Sequence, residues 1–262
     1  MSLMASHNAL LQSVLDLLFP PRCEVCNTLG REAFCATCRA QLIPMDEPYC
    51  RLCGQLFQLS EARQTLCPPC RHQPPRFDGA RTVGLHTGAL RRAVLNFKFE
   101  NRRRLQEPLG ELLAERFTRE LETEGGLPWR LVDAMVPVPL HPKRRDWRGF
   151  DQALFLAEAM SERCGVPVVA DGMTRVRPTT PQIELTPEER HENVRKAFAP
   201  VGETLRGRNI VLIDDVYTTG ATASEAARAA KLGGAGHVYV LTISRPPPGW
   251  HQAAFALEPG EG

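Results

Sequence analysis

Residues 210–222 of this 262-residue chain read Ile-Val-Leu-Ile-Asp-Asp-Val-Tyr-Thr-Thr-Gly-Ala-Thr, and this stretch decides the fold. The four apolar residues at its start are typical of a buried strand in a parallel sheet. Two adjacent acids follow, then a loop of small residues, and then a predicted helix over 221–232. Strand, loop and helix in this order predict an α/β domain with a ligand site where the strand ends.

The loop after the two acids has the composition of a phosphate-binding loop. Backbone N–H groups at a helix N-terminus favour an anion, and a glycine lets a ligand approach the backbone closely. Asp214 and Asp215 repel phosphate, so they suit ribose hydroxyls or a divalent cation. A plain βα turn with two solvated acids is the alternative, and the pattern of a Walker loop is absent. The predicted phosphate contacts are Thr218, Thr219, Gly220, Ala221 and Thr222.

Cysteines are concentrated near the N-terminus of the chain. Eight of the nine form Cys-x-x-Cys pairs: Cys23/Cys26, Cys35/Cys38, Cys50/Cys53 and Cys67/Cys70. Two such pairs bring four sulfurs together in the tetrahedron that a structural zinc ion prefers. We therefore predict two structural zinc sites without an open position for water, in a segment that folds only with its metal.

Other uses of these cysteines are weighed as alternatives. A disulfide framework needs an oxidising compartment, and the sequence shows no export signal. A redox dithiol ordinarily uses one Cys-x-x-Cys pair, and an iron–sulfur cluster is a further alternative. Zinc sites formed by consecutive pairs are favoured over a cross-brace, because the loops of 8 and 13 residues suit small ribbons. Cys164 is expected to be a buried, small apolar residue on a helix.

Apolar patterning, prolines and the cysteine pairs divide the chain into four parts: an N-terminal helix (1–20), a zinc module (21–75), the α/β domain (76–245) and a disordered tail (246–262). Strands are predicted at 77–86, 131–138, 166–170, 209–213 and 238–243, and helices at 89–99, 105–121, 151–163 and 221–232. Asp151 is predicted to cap its helix. Residues 178–193 are predicted to form a polar, mobile loop.

A second loop, after the predicted strand at 131–138, is strongly basic. Four cations against Asp146 give residues 143–148 a net charge of +3. Such a loop beside a phosphate site suits a pyrophosphate group, while a solvated surface loop is the alternative. The predicted pyrophosphate contacts are His141, Lys143, Arg144, Arg145 and Arg148.

The stretch 210–222 resembles the phosphoribosyl-pyrophosphate motif of type I phosphoribosyltransferases. The resemblance implies that Asp214 and Asp215 hold the ribose 2′ and 3′ hydroxyls, that residues 218–222 bind the 5′-phosphate, and that Mg²⁺ accompanies phosphoribosyl pyrophosphate. Several purine-salvage members have an acid where this chain has Thr218, which weakens the case for purine-base chemistry. Asp214, Asp215 and Arg148 are the catalytic candidates, and the catalytic residue itself is not identified.

The combination of motifs resembles the ComF/ComFC family over about residues 15–245. Besides the cysteine pairs, the chain carries Val-Pro-Val-Pro-Leu-His-Pro at 136–142, Asn-Phe-Lys-Phe at 96–99, Arg-Gly-Phe-Asp-Gln at 148–152 and spaced residues within 181–198. The usual family pattern has Asn where this chain has Asp151. An Asp can still cap the helix, but it adds a negative charge.

This resemblance implies a double zinc ribbon fused to a type I phosphoribosyltransferase-like parallel-sheet domain. It also implies a role in natural competence, in which the protein handles imported single-stranded DNA with a helicase and a DNA-processing recombination mediator. A further implication is relatedness to the amidophosphoribosyltransferase domain of purine synthesis. Three functions are therefore considered: a protein that binds phosphoribosyl pyrophosphate or a nucleotide, a pyrophosphate-releasing phosphoribosyltransferase, and a nucleotide-sensing regulator. The acceptor is not identifiable, so enzymatic activity stays open.

A basic segment at 91–104 is the candidate for direct contact with DNA. Six cations against Glu100 give it a net charge of +5, and Phe97 and Phe99 are interleaved with them. Single-strand-binding surfaces combine phosphate attraction with base stacking in this way. A solvated helix end with both phenylalanines in the core is the equal alternative. The candidate contacts to DNA or pyrophosphate are Lys98, Arg102, Arg103 and Arg104.

The overall composition is that of an ordinary globular protein. Hydrophobic residues make up 43% of the chain, charged residues 24%, and the net charge is +2. The small net charge gives no global reason to bind a polyanion, so a basic surface has to be local. No apolar run approaches the length of about 20 residues that a membrane helix needs. We therefore expect a cytoplasmic protein without a membrane span.

Overall fold

The computed structural model describes residues 20–46, 48–57, 64–123, 126–141, 149–177 and 187–247. The predicted helix at 1–20, the predicted tail beyond 247 and most of the basic loop lie outside these residues. Within them, no helix has both the length and the apolar surface that crossing a membrane would require.

Helices and strands are mixed along the α/β domain, and two short helices lie before it in the zinc segment. The helices are α1 (Ala36–Arg39), α2 (Pro68–His72), α3 (Gly88–Phe99), α4 (Gln106–Glu122), α5 (Gln152–Cys164), α6 (Pro187–Val194) and α7 (Ala221–Leu232). The strands are β1 (Gly79–Leu85), β2 (Ala134–Pro137), β3 (Met173–Arg175), β4 (Phe198–Pro200), β5 (Ile210–Val216) and β6 (Val238–Arg245). The Asp151 carboxylate accepts hydrogen bonds from the N–H groups of Ala153 and Leu154, so Asp151 caps α5 as predicted.

Four strands form a parallel sheet in the order β1-β6-β5-β2, which confirms the predicted α/β class. Because all four run in the same direction, they end at one edge, which we call the carboxyl edge. The register places Asp214 of β5 beside Thr242 of β6 at this edge. Strands β3 and β4 form a separate antiparallel pair that the sequence did not predict.

Helices cover both faces of the sheet. Along β5, Val211 and Ile213 pack with α3, α4 and α5, whereas Ile210 and Leu212 pack with α7. Successive side chains of a strand point to opposite faces. Strand β5 continues through Asp214 and Asp215, so these two side chains are directed to opposite sides of the sheet.

Helix α7 packs closely on the sheet because its inner face consists of alanines. Those with almost no exposed surface are Ala223, Ala226, Ala227, Ala229 and Ala230. Alanine is the best helix former, and its small side chain lets the helix backbone approach the strands. This packing fixes the first turn of α7 at the carboxyl edge, directly after the phosphate loop.

The zinc-ribbon segment covers the outer edge of the sheet. The Met45 N–H donates to Val83 O at 3.2 Å, and the Leu85 N–H donates to Ile43 O at 2.8 Å. These bonds occupy backbone groups of β1 that would otherwise be an open strand edge. The ribbon segment is therefore part of the sheet architecture.

Two sequence predictions differ from the structure. The predicted mobile loop at 178–193 is wrong for its second half, where α6 begins at Pro187. Proline at the first helical position followed by two glutamates is a helix start signal, which the polar composition obscured. The predicted strand at 166–170 is reduced to a single parallel bridge between Met135 and Val168.

Candidate phosphate-binding site and cysteine clusters

The two predicted acids lie together at the carboxyl edge. Asp215 is buried, and its Oδ2 lies 2.8 Å from Lys98 Nζ at the end of α3. The Asp215 N–H donates to Asp214 Oδ1 at 2.8 Å. The structure thus brings Lys98, predicted as a pyrophosphate or DNA contact, to the two acids that were predicted to bind ribose.

The environment of Asp214 disfavours its charged form. Burial raises the pKa of Asp214 to about 7, the neighbouring Asp215 charge adds to this, and Lys98 and Arg175 oppose it. Arg175 is a buried residue of β3 that sequence reasoning missed. No local motif marks it, because β3 reaches the site only through the tertiary fold.

The predicted phosphate loop carries unused backbone donors. The N–H groups of Thr218, Thr219 and Gly220 donate to no acceptor in the described part of the chain. Thr219 Oγ1 accepts a hydrogen bond of 3.3 Å from the Ala221 N–H. These free donors lie at the N-terminus of α7, where the helix dipole also favours an anion.

Gly220 is required for the shape of this loop. Its φ of 81° is in the left-handed region, and a Cβ at this position would lie 2.2 Å from the Tyr217 hydroxyl oxygen. An L-residue is strained in this conformation, and the tyrosine leaves it no room. Tyr217, which sequence reasoning did not single out, therefore packs directly against the loop backbone.

The basic loop predicted to bind pyrophosphate follows β2, which pairs with β5. The Val138 N–H donates to Ile213 O at 2.9 Å, which places the chain leading to His141 next to β5. Lys143, Arg144, Arg145 and Arg148 lie outside the described residues. Where the chain resumes, Arg103 Nη2 donates to Gly149 O at 3.4 Å and its guanidinium lies 5.2 Å from the Phe150 ring centre.

The remaining predicted DNA contacts have a different setting. Arg102 and Arg104 form ion pairs of 3.0 and 3.1 Å with the Glu24 carboxylate, between the first two cysteines. Arg104 also donates to Arg22 O and Arg31 O. Both arginines thus hold the N-terminal ribbon. Phe97 is buried in the core as the alternative reading expected, whereas Phe99 is exposed.

His86 is another residue near the acids that sequence reasoning missed. It follows β1 at the carboxyl edge, is fully buried, and its Nδ1 lies 2.8 Å from Ser244 Oγ. Burial and the charges of Arg91 and Lys98 lower the pKa of His86 to about 4. A single histidine at a strand end gives no distinctive signal in the sequence.

The eight paired cysteines form two groups of four. The first cluster contains Cys23, Cys26, Cys35 and Cys38, and the second contains Cys50, Cys53, Cys67 and Cys70. This grouping agrees with the prediction that consecutive pairs share a site.

The sulfur positions fit zinc. Sγ–Sγ distances are 3.9 Å for Cys23 and Cys38, 3.7 Å for Cys26 and Cys35, and 3.6 Å for Cys53 and Cys67. A disulfide is about 2.05 Å long, whereas four sulfurs at about 2.3 Å from zinc are roughly 3.8 Å apart. Each cluster therefore fits one tetrahedral zinc ion.

The two clusters differ in their surroundings. In the first cluster Cys26 is exposed and Cys35 is partly exposed, whereas all four cysteines of the second cluster are buried. The second cluster also lies beside the phosphate loop. A groove of about 1230 Å³ is lined on one side by cysteines and prolines of the second ribbon and on the other by residues 217–221.

Comparisons with known proteins extend these observations. Residues 14–71 match the Double zinc ribbon domain family. Competence protein F of Haemophilus influenzae is 28% identical over 219 residues, covering 83% of this chain and 92% of that protein. DNA utilization protein YhgH of Escherichia coli is 30% identical over 233 residues, covering 87% of this chain and 99% of that protein.

A solved structure, glutamine phosphoribosylpyrophosphate amidotransferase from B. subtilis, is 20% identical with a TM-score of 0.35, covering 53% of this chain and 26% of that chain. The domain match confirms the predicted ribbons. The parallel sheet confirms the predicted α/β class, so the described fold is a parallel-sheet domain with an N-terminal zinc-ribbon module.

Proposed function

The chain belongs to the ComF family, and from that premise we propose that it binds a 5′-phosphoribosyl ligand and acts in the handling of imported single-stranded DNA. Phosphoribosyl pyrophosphate with Mg²⁺ is the ligand that this proposal names. The observation that carries it is the combination of two adjacent acids with three N–H groups that have no acceptor in the described part of the chain.

Each part of the ligand has a counterpart at the carboxyl edge. Asp214 and Asp215 would accept hydrogen bonds from the ribose hydroxyls, and the loop N–H groups would donate to the 5′-phosphate. Carboxylate oxygens are also the ligands that Mg²⁺ prefers, so the same acids could hold a cation shared with the pyrophosphate. Lys98 already neutralises Asp215 and would add positive charge where the pyrophosphate lies.

A catalytic phosphoribosyltransferase of nucleotide metabolism is the alternative function. In that reaction an acceptor replaces pyrophosphate at the anomeric carbon, and cations stabilise the leaving group. Thr218 occupies the position where some purine-salvage enzymes of the resembling class carry an acid, and a threonine hydroxyl does not ionise near neutral pH, so it cannot serve as a general acid or base. The site therefore favours binding, and a regulator that senses a nucleotide would use the same contacts. Pyrophosphate release with a panel of bases and amines distinguishes catalysis from binding.

Direct contact with single-stranded DNA is supported by the groove beside the phosphate loop. Exposed cations on its rim are Arg76, Arg195 and Lys196, and the apolar wall includes Phe57. The Arg76 and Lys196 side chains make no ion pair within the described residues. A strand with one phosphate in the loop can continue along this groove, with its bases against the apolar wall.

Calorimetric titration with phosphoribosyl pyrophosphate and Mg²⁺ tests the proposed ligand. Replacing both acids, Asp214→Asn with Asp215→Asn, should abolish binding, because the ribose hydroxyls lose their charged acceptors and the cation loses its carboxylate ligands. Asp133→Asn is the matched control, since Asp133 precedes β2 at the opposite end of the sheet. Unchanged affinity in the double variant would reject the assignment.

The pH dependence of binding tests the role of Asp214. Its pKa is raised to about 7, so about half of the carboxyl groups are protonated at neutral pH. Ionisation above pH 7 should increase the affinity for the ligand with Mg²⁺, because only the carboxylate binds a cation. Asp214→Asn should remove this part of the pH dependence. An identical pH profile in both proteins would exclude Asp214 from the site.

DNA binding is tested by fluorescence anisotropy with a single-stranded oligonucleotide at several salt concentrations. Arg195→Ala with Lys196→Ala should weaken binding and reduce its salt dependence, because each phosphate contact releases counterions. Arg102→Ala with Arg104→Ala is the comparison. A larger loss of DNA affinity in Arg102→Ala with Arg104→Ala would show that the DNA-binding surface lies on the segment at 91–104.

A further inference from the structure

A buried arginine lies between the second cluster and the phosphate loop. Arg245, the last residue of β6, is 7% exposed. Its Nη1 donates to Cys53 O at 2.6 Å, and its Nη2 lies 4.0 Å from Cys53 Sγ. The guanidinium carbon lies 4.3 Å from the centre of the Tyr217 ring. One side chain thus contacts both a predicted zinc ligand and the residue that opens the loop.

The charge of Arg245 requires an anionic partner. A guanidinium is always protonated, and burying a charge without a partner is costly. Among the described residues, no carboxylate forms an ion pair with Arg245. A zinc ion held by four thiolates carries net negative charge. The second cluster with its metal therefore supplies the charge that Arg245 lacks.

Tyr217 connects this arginine to the loop backbone. One face of its ring contacts Arg245, and Phe77 makes an edge contact with a centroid distance of 6.2 Å. The hydroxyl packs against Gly220 so closely that a Cβ there would collide with it. Because the ring is held on several sides, its position sets the path of the loop.

We propose that Arg245 is a positioning residue through which zinc binding at the second cluster orders the phosphate loop. When the metal leaves, the four thiolates take up protons and become neutral thiols, so the negative charge beside Arg245 is lost, which releases Tyr217 and then the backbone at Gly220. Among the described residues the first cluster is attached at a different place, because its contacts through Glu24 lead to Asn96, Arg102 and Arg104 and not to Tyr217. The inference rests on the proposed function only for the identity of the ligand.

Arg245→Met removes the charge and keeps most of the apolar stem, and Arg245→Lys keeps the charge. Amide exchange at Tyr217 and Ser224 measures loop order, since these N–H groups donate to Ser244 O and Gly220 O. We expect exchange to become about tenfold faster in Arg245→Met, or ~1.4 kcal/mol, with a smaller change in Arg245→Lys. Affinity for phosphoribosyl pyrophosphate with Mg²⁺ should fall by a similar factor.

Cys67→Ser in the second cluster and Cys26→Ser in the first are the matched pair for the metal. Only Cys67→Ser should accelerate exchange at Tyr217 and Ser224, even if both variants lose one zinc. Equal effects of the two variants, or unchanged exchange in Arg245→Met, would overturn the inference. If the wild-type protein binds no phosphoribosyl pyrophosphate, the proposed ligand fails, and the exchange measurements still decide the role of Arg245. If Arg245→Met does not fold, Arg245→Lys and the cysteine pair decide it.

Discussion

The first and second cysteine clusters have the same ligands and the same Cys-x-x-Cys pairs but different neighbours. The first cluster is partly exposed and is attached to the α/β domain through Glu24, whose arginine partners Arg102 and Arg104 are about half exposed. The second cluster is buried and lies beside the phosphate loop.

The attachment of the second ribbon uses buried charges. Glu120 of α4 lies 3.0 Å from Arg81 and 2.7 Å from Arg116, and it accepts a hydrogen bond of 3.0 Å from the Tyr49 hydroxyl. Arg81 also donates to Arg51 O, so two residues flanking Cys50 are fixed to the domain. Both clusters have the same four-cysteine ligand set. The structural roles of the two ribbons therefore differ because each ribbon contacts a different part of the α/β domain.

The largest expected difference is in the free energy of unfolding of variants at Glu120 and Glu24, the glutamates that attach the second and the first ribbon. Glu120→Gln should lower the free energy of unfolding by about 3–5 kcal/mol, because it removes the carboxylate that pairs with the buried Arg81 and leaves Arg116 only the more distant Asp46. Glu24→Gln should cost less, about 1–2 kcal/mol, because Glu24 is 10% exposed but its arginine partners are about half exposed and can be hydrated. Urea unfolding of both variants measures this. Equal losses would mean that the two ribbons are attached in the same way.

A smaller effect is expected from a methyl group at Gly220. Gly220→Ala should lower the affinity for phosphoribosyl pyrophosphate about tenfold, because left-handed strain of about 1 kcal/mol adds to the clash with Tyr217. Gly165→Ala is the control, since Gly165 also has a positive φ but open space around it. Calorimetry measures both affinities. Equal affinities in the two variants would show that the loop tolerates displacement of Tyr217.

A kinetic effect of about the same size concerns the rate of zinc release to a chromogenic chelator. We expect two phases, the faster from the first cluster by about tenfold, because the exposed Cys26 sulfur is open to attack. Cys26→Ser should remove the fast phase and leave the slow one. A single phase in the wild-type protein would mean that exposure does not distinguish the two sites.

Much of the site was predictable because its signals are local. Short stretches of sequence were enough to predict the apolar strand before Asp214, the loop of small residues and the following helix. The spacing of the cysteines likewise predicted both clusters. Helix α6 was missed because polar composition outweighed its proline and acidic start. The strands β3 and β4 are only three residues long each, which is too short for a periodic pattern.

The roles of the basic residues could not be predicted in the same way. Arg102, Arg103 and Arg104 are consecutive, yet Arg103 contacts the end of the basic loop while its neighbours bind Glu24. Side chains of neighbouring residues point in different directions. The net charge of the segment therefore does not predict which partner each arginine binds. The same limit applies to Lys98, whose partner Asp215 comes from another strand.

The amino-acid sequence was enough to predict the α/β class, a phosphate-binding loop after β5 and two groups of cysteines that fit zinc. These features depend on residue type and short spacing, which act over one strand or one turn. The ion pair of Lys98 with Asp215 and the position of Arg245 between the second cluster and Tyr217 are visible only in the three-dimensional structure. Such pairs depend on the strand order β1-β6-β5-β2, because burial forces each charge to find a partner among whichever elements the sheet brings together.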